Sequence, residues 1–122
     1  MDSLNGKTIL ITGSNGLIGK NLIYALKESM CNIIALDIAY KDLSMLAKFD
    51  KNLDYGNIQY LDCDLRDEIE LEKSIANAYS KFGSIDGLVN CAAIDSVPTI
   101  DESYQFENLD ISEFKNVLDV NL

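Results

Sequence analysis

The sequence contains no histidine, and this absence removes several classes of chemistry from the chain. Hydrolysis by a Ser-His-Asp triad, zinc held by histidine and acid–base catalysis by histidine all need an imidazole. The three cysteines, Cys31, Cys63 and Cys91, are widely spaced and form no Cys-x-x-Cys pair. This pattern favours reduced thiols over a disulfide framework, and it predicts a cytoplasmic protein without a metal site.

Positive charge and long apolar segments are also scarce. The 122 residues include 10 Lys and Arg against 20 Asp and Glu, which gives a formal net charge of -10. Because this charge repels polyanions, nucleic acid is not expected as a partner, and we interpret the acidity as a source of solubility. The longest apolar stretches are interrupted well before the ~20 residues that a membrane helix needs. We therefore expect neither a membrane span nor a secretory signal.

Short β-branched runs alternate with helical patterns along the chain. The predicted strands are "KTILIT" (Lys7–Thr12), "NIIALD" (Asn32–Asp37), "IQYLD" (Ile58–Asp62) and "DGLVNCAA" (Asp86–Ala93). Continuous rather than alternating apolar character is typical of strands that are buried on both faces. The order of elements predicts an α/β fold, a doubly wound parallel sheet of the Rossmann type with strand order 3-2-1-4 and crossover helices.

The predicted helices are Leu17–Ser29, a polar stretch around residues 43–49, Asp67–Phe82 and a last helix from about Ser112. Their apolar faces are expected at Ile18, Leu22, Ala25 and Leu26; at Leu43, Leu46, Ala47 and Phe49; at Leu71, Ile75, Ala78 or Tyr79, and Phe82; and at Phe114, Val117, Leu118, Asn121 and Leu122. Asp67 and Glu70 are expected to form a capping box, and Gly83 to end the third helix. We find no linker, so residues 1–122 are interpreted as one domain.

The stretch "TGSNGLIGKN" between the first strand and helix predicts a phosphate-binding turn. A triphosphate loop needs Gly, four residues and then Gly-Lys-Ser/Thr, whereas here five residues separate Gly13 from Gly19-Lys20 and Asn21 follows. A dinucleotide fits better, since Gly13 can make the turn, Gly16 can admit the pyrophosphate and Gly19 can pack the helix on the strand. The residues predicted to form this site are Gly13, Ser14, Asn15, Gly16, Leu17, Ile18 and Gly19.

Asp37 ends the second strand 18 residues after Gly19. A carboxylate at this point can accept hydrogen bonds from both hydroxyls of the adenine ribose, and it repels the 2′-phosphate of NADP. Positions 14, 15 and 38 hold no Lys or Arg that would offset this repulsion. NAD is therefore the predicted cofactor in preference to NADP, and a cap on the following helix is the alternative for Asp37.

Four stretches together resemble the short-chain dehydrogenase/reductase family over the whole length of the chain. They are "TGSNGLIG", the pair Asp64-Leu65, "FGSIDGLVNCAA" (Phe82–Ala93) and "FKNVLDVNL" (Phe114–Leu122). The resemblance implies that Asp64 and Leu65 meet the adenine and that Asn121 supports a proton relay. The further cofactor-binding residues that it implies are Ile38, Asn90 and Ala92.

Two departures set this sequence apart from the family's short branch. The middle glycine of that branch falls where this chain has Leu17, and Cys91 and Ala93 replace Asn and Gly. The Gly-x-x-Gly-x-x-Gly spacing is more typical of the extended branch, which acts on nucleotide sugars. The mixture resembles bacterial dehydrogenases of flagellin modification and surface-sugar biosynthesis.

Structural interpretations stand beside these assignments. Asp64 can cap the turn that follows it, and Asn90 can tie strand ends together through backbone hydrogen bonds. Asn121 can satisfy a neighbouring carbonyl only. Cys63 and Cys91 are interpreted as small buried apolar side chains rather than reactive thiols.

The family's catalytic Tyr-x-x-x-Lys pair is not found here, since none of the six tyrosines is followed by lysine four residues later. We therefore expect these residues to be the N-terminal half of a longer enzyme and to be inactive alone. In such a fragment the fourth strand becomes an apolar edge, and Phe114 and Leu118 are exposed. Poor solubility or partial order is the predicted consequence.

The sequence thus predicts an NAD(P)-dependent oxidoreductase that interconverts an alcohol and a ketone. The resemblance implies a small-molecule substrate, sugar-like in character, and a homo-oligomer. Two alternatives remain, a dinucleotide-binding sensor without catalysis and a nucleoside triphosphate binder that uses the same loop.

Overall fold

The computed structural model of the chain describes residues 2–41, 56–94, 106–108 and 110–122. Its strands are β1 (Thr8–Thr12), β2 (Asn32–Asp37), β3 (Ile58–Asp62) and β4 (Gly87–Asn90), and its helices are α1 (Leu17–Leu26), α2 (Glu68–Phe82) and α3 (Ile111–Asn121). Short 3-10 turns cover Asp2–Leu4, Lys27–Ser29, Ile38–Lys41 and Phe106–Asn108. The predicted helix around residues 43–49 lies outside the described residues.

The four strands form one parallel sheet in the order β3-β2-β1-β4, which confirms the predicted order. Leu10 of β1 is paired with Ile34 of β2 on one side and with Leu88 of β4 on the other. Asp37 at the end of β2 is paired with Asp62 at the end of β3. Because all strands are parallel, the segments that follow them emerge at one edge of the sheet.

Buried apolar side chains lie on both faces of the sheet. Ile33 packs into a cluster that includes Ile23 of α1, whereas its neighbour Ile34 packs into a second cluster that includes Ala78 of α2. Ile33 and Ile34 are both fully buried, and burial of such a side chain contributes about 1.5–3 kcal/mol. The continuous apolar run of β2 is therefore explained by helices that cover opposite faces.

Helix α1 is rotated by about one residue from its predicted orientation. Ile18, expected on the buried face, is 66% exposed, and Ala25 is exposed as well. Gly19 and Ile23 face the sheet instead, while Leu22 and Leu26 are partly buried against the core cluster, as predicted. The α-helix also ends at Leu26, and a 3-10 turn covers the rest of the predicted range.

Helix α2 follows its prediction closely at both ends. The Asp67 carboxylate accepts hydrogen bonds from the amides of Ile69 and Glu70, and Gly83 follows the helix in a left-handed conformation. The capping box is wrong in one respect. The Asp67 amide donates to the Asp64 carbonyl, so the Glu70 carboxylate accepts instead from the amide of Asp64 at 3.2 Å.

The buried face of α2 also differs from the predicted one in part. Ala78 is fully buried, whereas Tyr79 is 58% exposed and Ile75 is 39% exposed. Ser74 takes the buried position one turn before Ala78. Apolar periodicity does not predict Ser74 on the buried face, because it identifies apolar residues alone.

Strand β4 is shorter than the predicted Asp86–Ala93 and is not buried on both faces. Leu88 is 60% exposed, and Val89 is partly buried. The Asp86 amide still donates to the Thr8 carbonyl, and the Cys91 amide to that of Thr12, so pairing with β1 extends past both ends. Partly buried and exposed side chains alternate along β4 because this strand lies at the end of the described sheet.

Helix α3 begins where the sequence predicts a helix. The Asp110 carboxylate caps it by accepting from the Ser112 amide at 2.8 Å. Phe114 and Leu118 are 50% and 38% exposed, whereas Val117 is partly buried. Among the described residues, no helix combines the length and the apolar character needed to cross a membrane.

Candidate functional site

A cleft of about 210 Å³ opens at the carboxyl edge of the sheet. It lies where the strand order reverses between β1 and β4, the usual position of ligands in open parallel sheets. Its lining comes from the segments after all four strands and from α3. The lining residues are Gly13, Gly16, Leu36, Asp37, Ile38, Cys63, Asp64, Leu65, Arg66, Cys91, Ala92, Ala93, Ile94 and Val120.

Residues 13–16, the glycine turn, lead from β1 into α1. Gly13 has a φ of +62°, and a Cβ atom there would lie 2.5 Å from the backbone of Ala92. A Cβ atom on Gly19 would lie 2.5 Å from the Gly13 carbonyl oxygen. Both positions therefore require glycine, the first for the turn and the second for the close contact of α1 with it.

The N-terminus of α1 opens at the same edge of the sheet. Gly16 is its N-cap and supplies no side-chain hydrogen bond to the first amides. The first amides of a helix have no partner within the helix, and together with the helix dipole they favour an anion. A phosphate group is the ligand that this arrangement suits.

A buried hydroxyl pair fixes the glycine turn to the end of β2. Ser14 Oγ donates to the Leu36 carbonyl at 3.0 Å and lies 2.8 Å from Tyr40 Oη. Because a serine hydroxyl has one proton, Tyr40 must be the donor to Ser14. Burial raises the pKa of Tyr40 to about 12, so this proton stays in place at neutral pH.

Asp37 lies between the glycine turn and the 3-10 turn after β2. Its Oδ2 accepts from the Asn15 amide at 2.8 Å, and its Oδ1 accepts from the Ala39 amide at 2.9 Å. Asp37 therefore caps the turn Ile38–Lys41, which corresponds to the structural alternative, and it also lines the cleft, while binding of a ribose stays a prediction. Each oxygen of a carboxylate can accept a second hydrogen bond.

Asp64 is held by Arg66, a residue that sequence analysis did not single out. Oδ1 accepts from the amide and Nε of Arg66, and Oδ2 accepts from its Nη2 at 2.6 Å. These hydrogen bonds with Arg66 lower the pKa of Asp64 from 3.8 to about 2. Asp64 thus caps the turn that follows it, as the structural alternative predicted, while it also lines the cleft.

Asn121 uses its side-chain amide on one backbone unit. Its Nδ2 donates to the Ile94 carbonyl at 3.1 Å, and its Oδ1 accepts from the Ile94 amide at 2.9 Å. This contact anchors the segment after β4 to α3, which corresponds to the structural alternative. A role in a proton relay stays a prediction.

Thr12 braces the same segment from β1 and was also missed. Its Oγ1 lies 3.3 Å from the amides of both Cys91 and Ala92 and accepts from each. Asn90, just before this pair, is exposed. The strand ends are therefore tied together by Thr12. Its position at the end of β1, directly before Gly13, is the sequence signal that could have identified it.

The structure brings together only part of the predicted set. Seven predicted residues line the cleft: Gly13, Gly16, Asp37, Ile38, Asp64, Leu65 and Ala92. Seven do not: Ser14 and Gly19 are buried beneath it, Asn15 contacts Asp37, Leu17, Ile18 and Asn90 are exposed, and Asn121 holds Ile94. Arg66, Ile94 and Val120 belong to the lining and were not predicted.

The cysteines are all free thiols. Cys63 is 2% exposed, which agrees with its interpretation as a buried side chain, and burial raises its pKa so that the thiol stays protonated. Cys91 is only partly buried and lines the cleft. Within the described ranges, no group of three or more His, Cys, Asp or Glu residues is placed to hold a metal ion.

Comparison with known proteins gives a consistent result. Residues 7–122 match the family described as short chain dehydrogenase. The chain is 30% identical over 119 residues to the mitochondrial borneol dehydrogenase of Lavandula x intermedia, a match that covers 98% of this chain and 42% of the relative. The chain spans less than half of the length of curated relatives such as this one.

Solved structures show the same fold. A glucose/ribitol dehydrogenase of this family from Brucella melitensis superposes with a TM-score of 0.77 at 25% identity, covering 98% of this chain and 47% of that one. A 3-ketoacyl-(acyl-carrier-protein) reductase from Brucella melitensis, complexed with NADH, gives a TM-score of 0.79 at 24% identity over 98% and 46% of the two chains. Other matched structures hold NADP or NAD+.

Proposed function

The chain belongs to the short-chain dehydrogenase family, and we propose that it forms the cofactor-binding half of an NAD-preferring oxidoreductase. The reaction is the interconversion of an alcohol and a ketone by hydride transfer. The bound dinucleotide would supply or accept the hydride. Residues 1–122 would bind and orient it, and they are expected to be inactive alone.

One observation carries this proposal: the glycine turn and the Asp37 carboxylate line the same cleft at the carboxyl edge of the sheet. The uncapped N-terminus of α1 suits the pyrophosphate, and the strand-end acid suits the hydroxyls of a ribose. The hydrogen bond from the Asn15 amide to Asp37 Oδ2 links these two subsites at 2.8 Å. Ile38 and Leu65 add apolar surface suited to the adenine.

The preference for NAD rests on charge. At 4 Å and an effective dielectric of 20, two unit charges repel by about 4 kcal/mol, which is an upper figure for Asp37 against a 2′-phosphate. The two turns next to the Asp37 carboxylate carry no positive charge at the relevant positions, which are Ser14, Asn15 and Ile38. NADP is therefore disfavoured.

The proposed substrate is a small polar molecule, sugar-like in character. The Gly-x-x-Gly-x-x-Gly spacing supports it, as does the similarity to a glucose/ribitol dehydrogenase. We place the protein in the reducing cytoplasm because its three thiols are free. A homo-oligomer is proposed because Phe114 and Leu118 of α3 present exposed apolar surface.

Titration of the full-length protein with NADH and NADPH, followed by nicotinamide fluorescence, tests the proposal. The wild type should bind NADH more tightly. Asp37→Ala should reduce the ratio of NADH to NADPH affinity by on the order of 10-fold, because about 1.4 kcal/mol of discrimination is lost. The matched control is Asp62→Ala, since Asp62 ends β3 opposite Asp37 but does not line the cleft.

Each outcome separates the alternatives. An unchanged ratio in Asp37→Ala would remove Asp37 from its role, and absence of binding to either dinucleotide would reject the proposal. NADH binding without turnover of any alcohol or ketone would favour the sensor. Binding of ATP that depends on Mg²⁺, without NADH binding, would favour the triphosphate alternative.

A further inference from the structure

We propose that Tyr40 is a positioning residue for the dinucleotide, which fixes the separation between the glycine turn and Asp37 so that one ligand can span both. The inference rests on the proposed function, because it concerns the pyrophosphate and ribose subsites of the same cofactor. Tyr40 is buried, and it does not itself line the cleft. It therefore acts through the residues that it holds and is not a catalytic residue.

Two residues at and after the end of β2, Asp37 and Tyr40, hold the glycine turn. Tyr40 Oη donates to Ser14 Oγ at 2.8 Å, and the amide of the next residue, Asn15, donates to Asp37 Oδ2 at 2.8 Å. The Ala39 amide binds Asp37 Oδ1 at 2.9 Å and stiffens the short segment between the two. These contacts and the intervening backbone form a closed ring. A shift of either subsite would therefore strain both hydrogen bonds.

The burial of Ser14 makes its contact with Tyr40 directional. Ser14 is fully buried, and its amide and its hydroxyl both donate to the Leu36 carbonyl, at 3.1 and 3.0 Å. Its single hydroxyl proton is thereby used, so the oxygen can only accept from Tyr40. Removal of the phenol hydroxyl would leave a buried oxygen without its donor, which is unfavourable. The phenol thus helps to set where Ser14 lies, and with it the rest of the turn.

The ring of Tyr40 anchors this clasp to the core. Ile38 and Ala39, which precede it, are exposed, whereas Tyr40 packs into the same core cluster as Ile33. Its ring also meets that of Tyr60 on β3 edge-on. Phenylalanine at position 40 would keep this packing and remove the hydroxyl alone. The substitution therefore tests the hydrogen bond to Ser14 and not the core.

The arrangement predicts different effects on ligands of different length. ADP-ribose carries a pyrophosphate for the N-terminus of α1 and an adenine ribose for Asp37, whereas adenosine carries the ribose and no phosphate. Loss of the clasp should weaken a ligand that spans both subsites and spare one that occupies the ribose subsite alone. A merely structural role would instead lower the fraction of binding-competent protein and weaken both ligands equally.

The test measures the affinities of ADP-ribose and adenosine for the full-length protein, by displacement of NADH followed by nicotinamide fluorescence. Tyr40→Phe should weaken ADP-ribose on the order of 5-fold, as expected for loss of one hydrogen bond. It should change the affinity for adenosine by less than about 2-fold. Tyr79→Phe, which removes the hydroxyl of an exposed tyrosine on α2, is the matched control and should change neither affinity.

A second variant keeps the test decisive if Tyr40→Phe does not fold. Ser14→Ala removes the acceptor of the same hydrogen bond, so it should also weaken ADP-ribose more than adenosine. In the double variant, Tyr40→Phe should add little to Ser14→Ala, because both substitutions remove one contact. Additive effects would mean that Tyr40 does not act through Ser14 and would overturn the inference. Equal weakening of both ligands, or an unchanged affinity for ADP-ribose in Tyr40→Phe, would overturn it as well.

The two proposals fail in different ways. A wild type that binds NADH and ADP-ribose, with a Tyr40→Phe variant that binds them equally well, overturns only the role of Tyr40. A wild type that binds neither ligand rejects the proposed function, and this inference with it.

Discussion

At the scale of single residues, Tyr40 shows how one side chain fixes the glycine turn. It is 3% exposed, its hydroxyl donates to Ser14, and its ring meets that of Tyr60 edge-on with centroids 5.3 Å apart. Ser14 in turn donates to the Leu36 carbonyl. The chain of hydroxyls therefore ties β2 to the turn that follows β1.

Tyr40→Phe should lower the free energy of unfolding by about 1 kcal/mol at neutral pH, because it removes the donor to Ser14. The folded pKa of Tyr40 is raised from 10 to about 12, so its contribution is complete below pH 10 and is lost as the pH rises to about 12. Over this pH window, the free energy of unfolding of the wild type should therefore fall by on the order of 1 to 2 kcal/mol more than that of Tyr40→Phe. Urea unfolding from pH 8 to 12 measures both effects.

Tyr24→Phe serves as the control, since Tyr24 is 69% exposed and lies on the outer side of α1. Between pH 8 and 12, the free energy of unfolding of Tyr24→Phe should fall by the same amount as that of the wild type. Parallel alkaline profiles for the wild type and Tyr40→Phe would contradict the prediction.

The sequence locates the acids of the cleft better than it identifies their partners. Asp37 and Asp64 follow recognisable strands, and parallel strands bring their ends to one edge whatever the details of packing. The Asn15 amide that meets Asp37 depends on the separation of two strand ends, which spacing does not reveal. Arg66 was passed over because an arginine on a polar turn is ordinarily an exposed surface residue.

At the scale of elements, the contact of α1 with the glycine turn sets how that helix is rotated. Gly19 touches the turn so closely that its position faces the sheet, which moves Ile18 outward and Ile23 inward. Apolar periodicity alone cannot show this rotation. A glycine interrupts the apolar pattern, even where it lies at the centre of the buried face. The bounds of β2 and β3, in contrast, were predicted to the residue.

Gly19→Ala should destabilise the protein by about 1–3 kcal/mol. Alanine gains about 1 kcal/mol in a helix over glycine, but its Cβ would lie 2.5 Å from the Gly13 oxygen and from Ser14 Cα. Both are backbone atoms that cannot rotate away, so the clash exceeds the gain. Chemical denaturation of the full-length protein measures the difference.

Gly56→Ala is the matched control, because nothing lies within 4 Å of a Cβ atom at that glycine. It should change the free energy of unfolding by no more than about 0.5 kcal/mol. Equal effects of the two substitutions would mean that α1 does not pack on the turn as described.

At the scale of the whole molecule, the strand that ends the described sheet and helix α3 both leave apolar side chains exposed. β4 ends the strand order, and its Leu88 is 60% exposed. Phe114 and Leu118 of α3 add to the exposed apolar area. An apolar strand at the edge of a sheet can pair with another chain. The sequence predicted this exposure from the apolar character of "GLVNCA" and of α3.

Residues 1–122 expressed by themselves should therefore aggregate or remain partly ordered. Leu88→Lys should lower the aggregated fraction, because a charge on an edge strand opposes pairing between chains. Leu17→Lys is the control, since Leu17 is 82% exposed but lies on α1. Light scattering after size-exclusion chromatography measures the aggregate. A monodisperse monomer with a sharp, reversible thermal transition would contradict the prediction.

The hydrogen bonds at the glycine turn and at Thr12, the residue before it, also become available at different times on the ribosome. Tyr40 lies 26 residues after Ser14. Ala92, whose amide contacts Thr12, lies 80 residues after Thr12. At roughly 5–20 residues per second, Tyr40 emerges within a few seconds of Ser14, but Ala92 needs roughly 4–16 s. A nascent chain can thus shape this turn from the β2 side while the wall on the β4 side has yet to be translated.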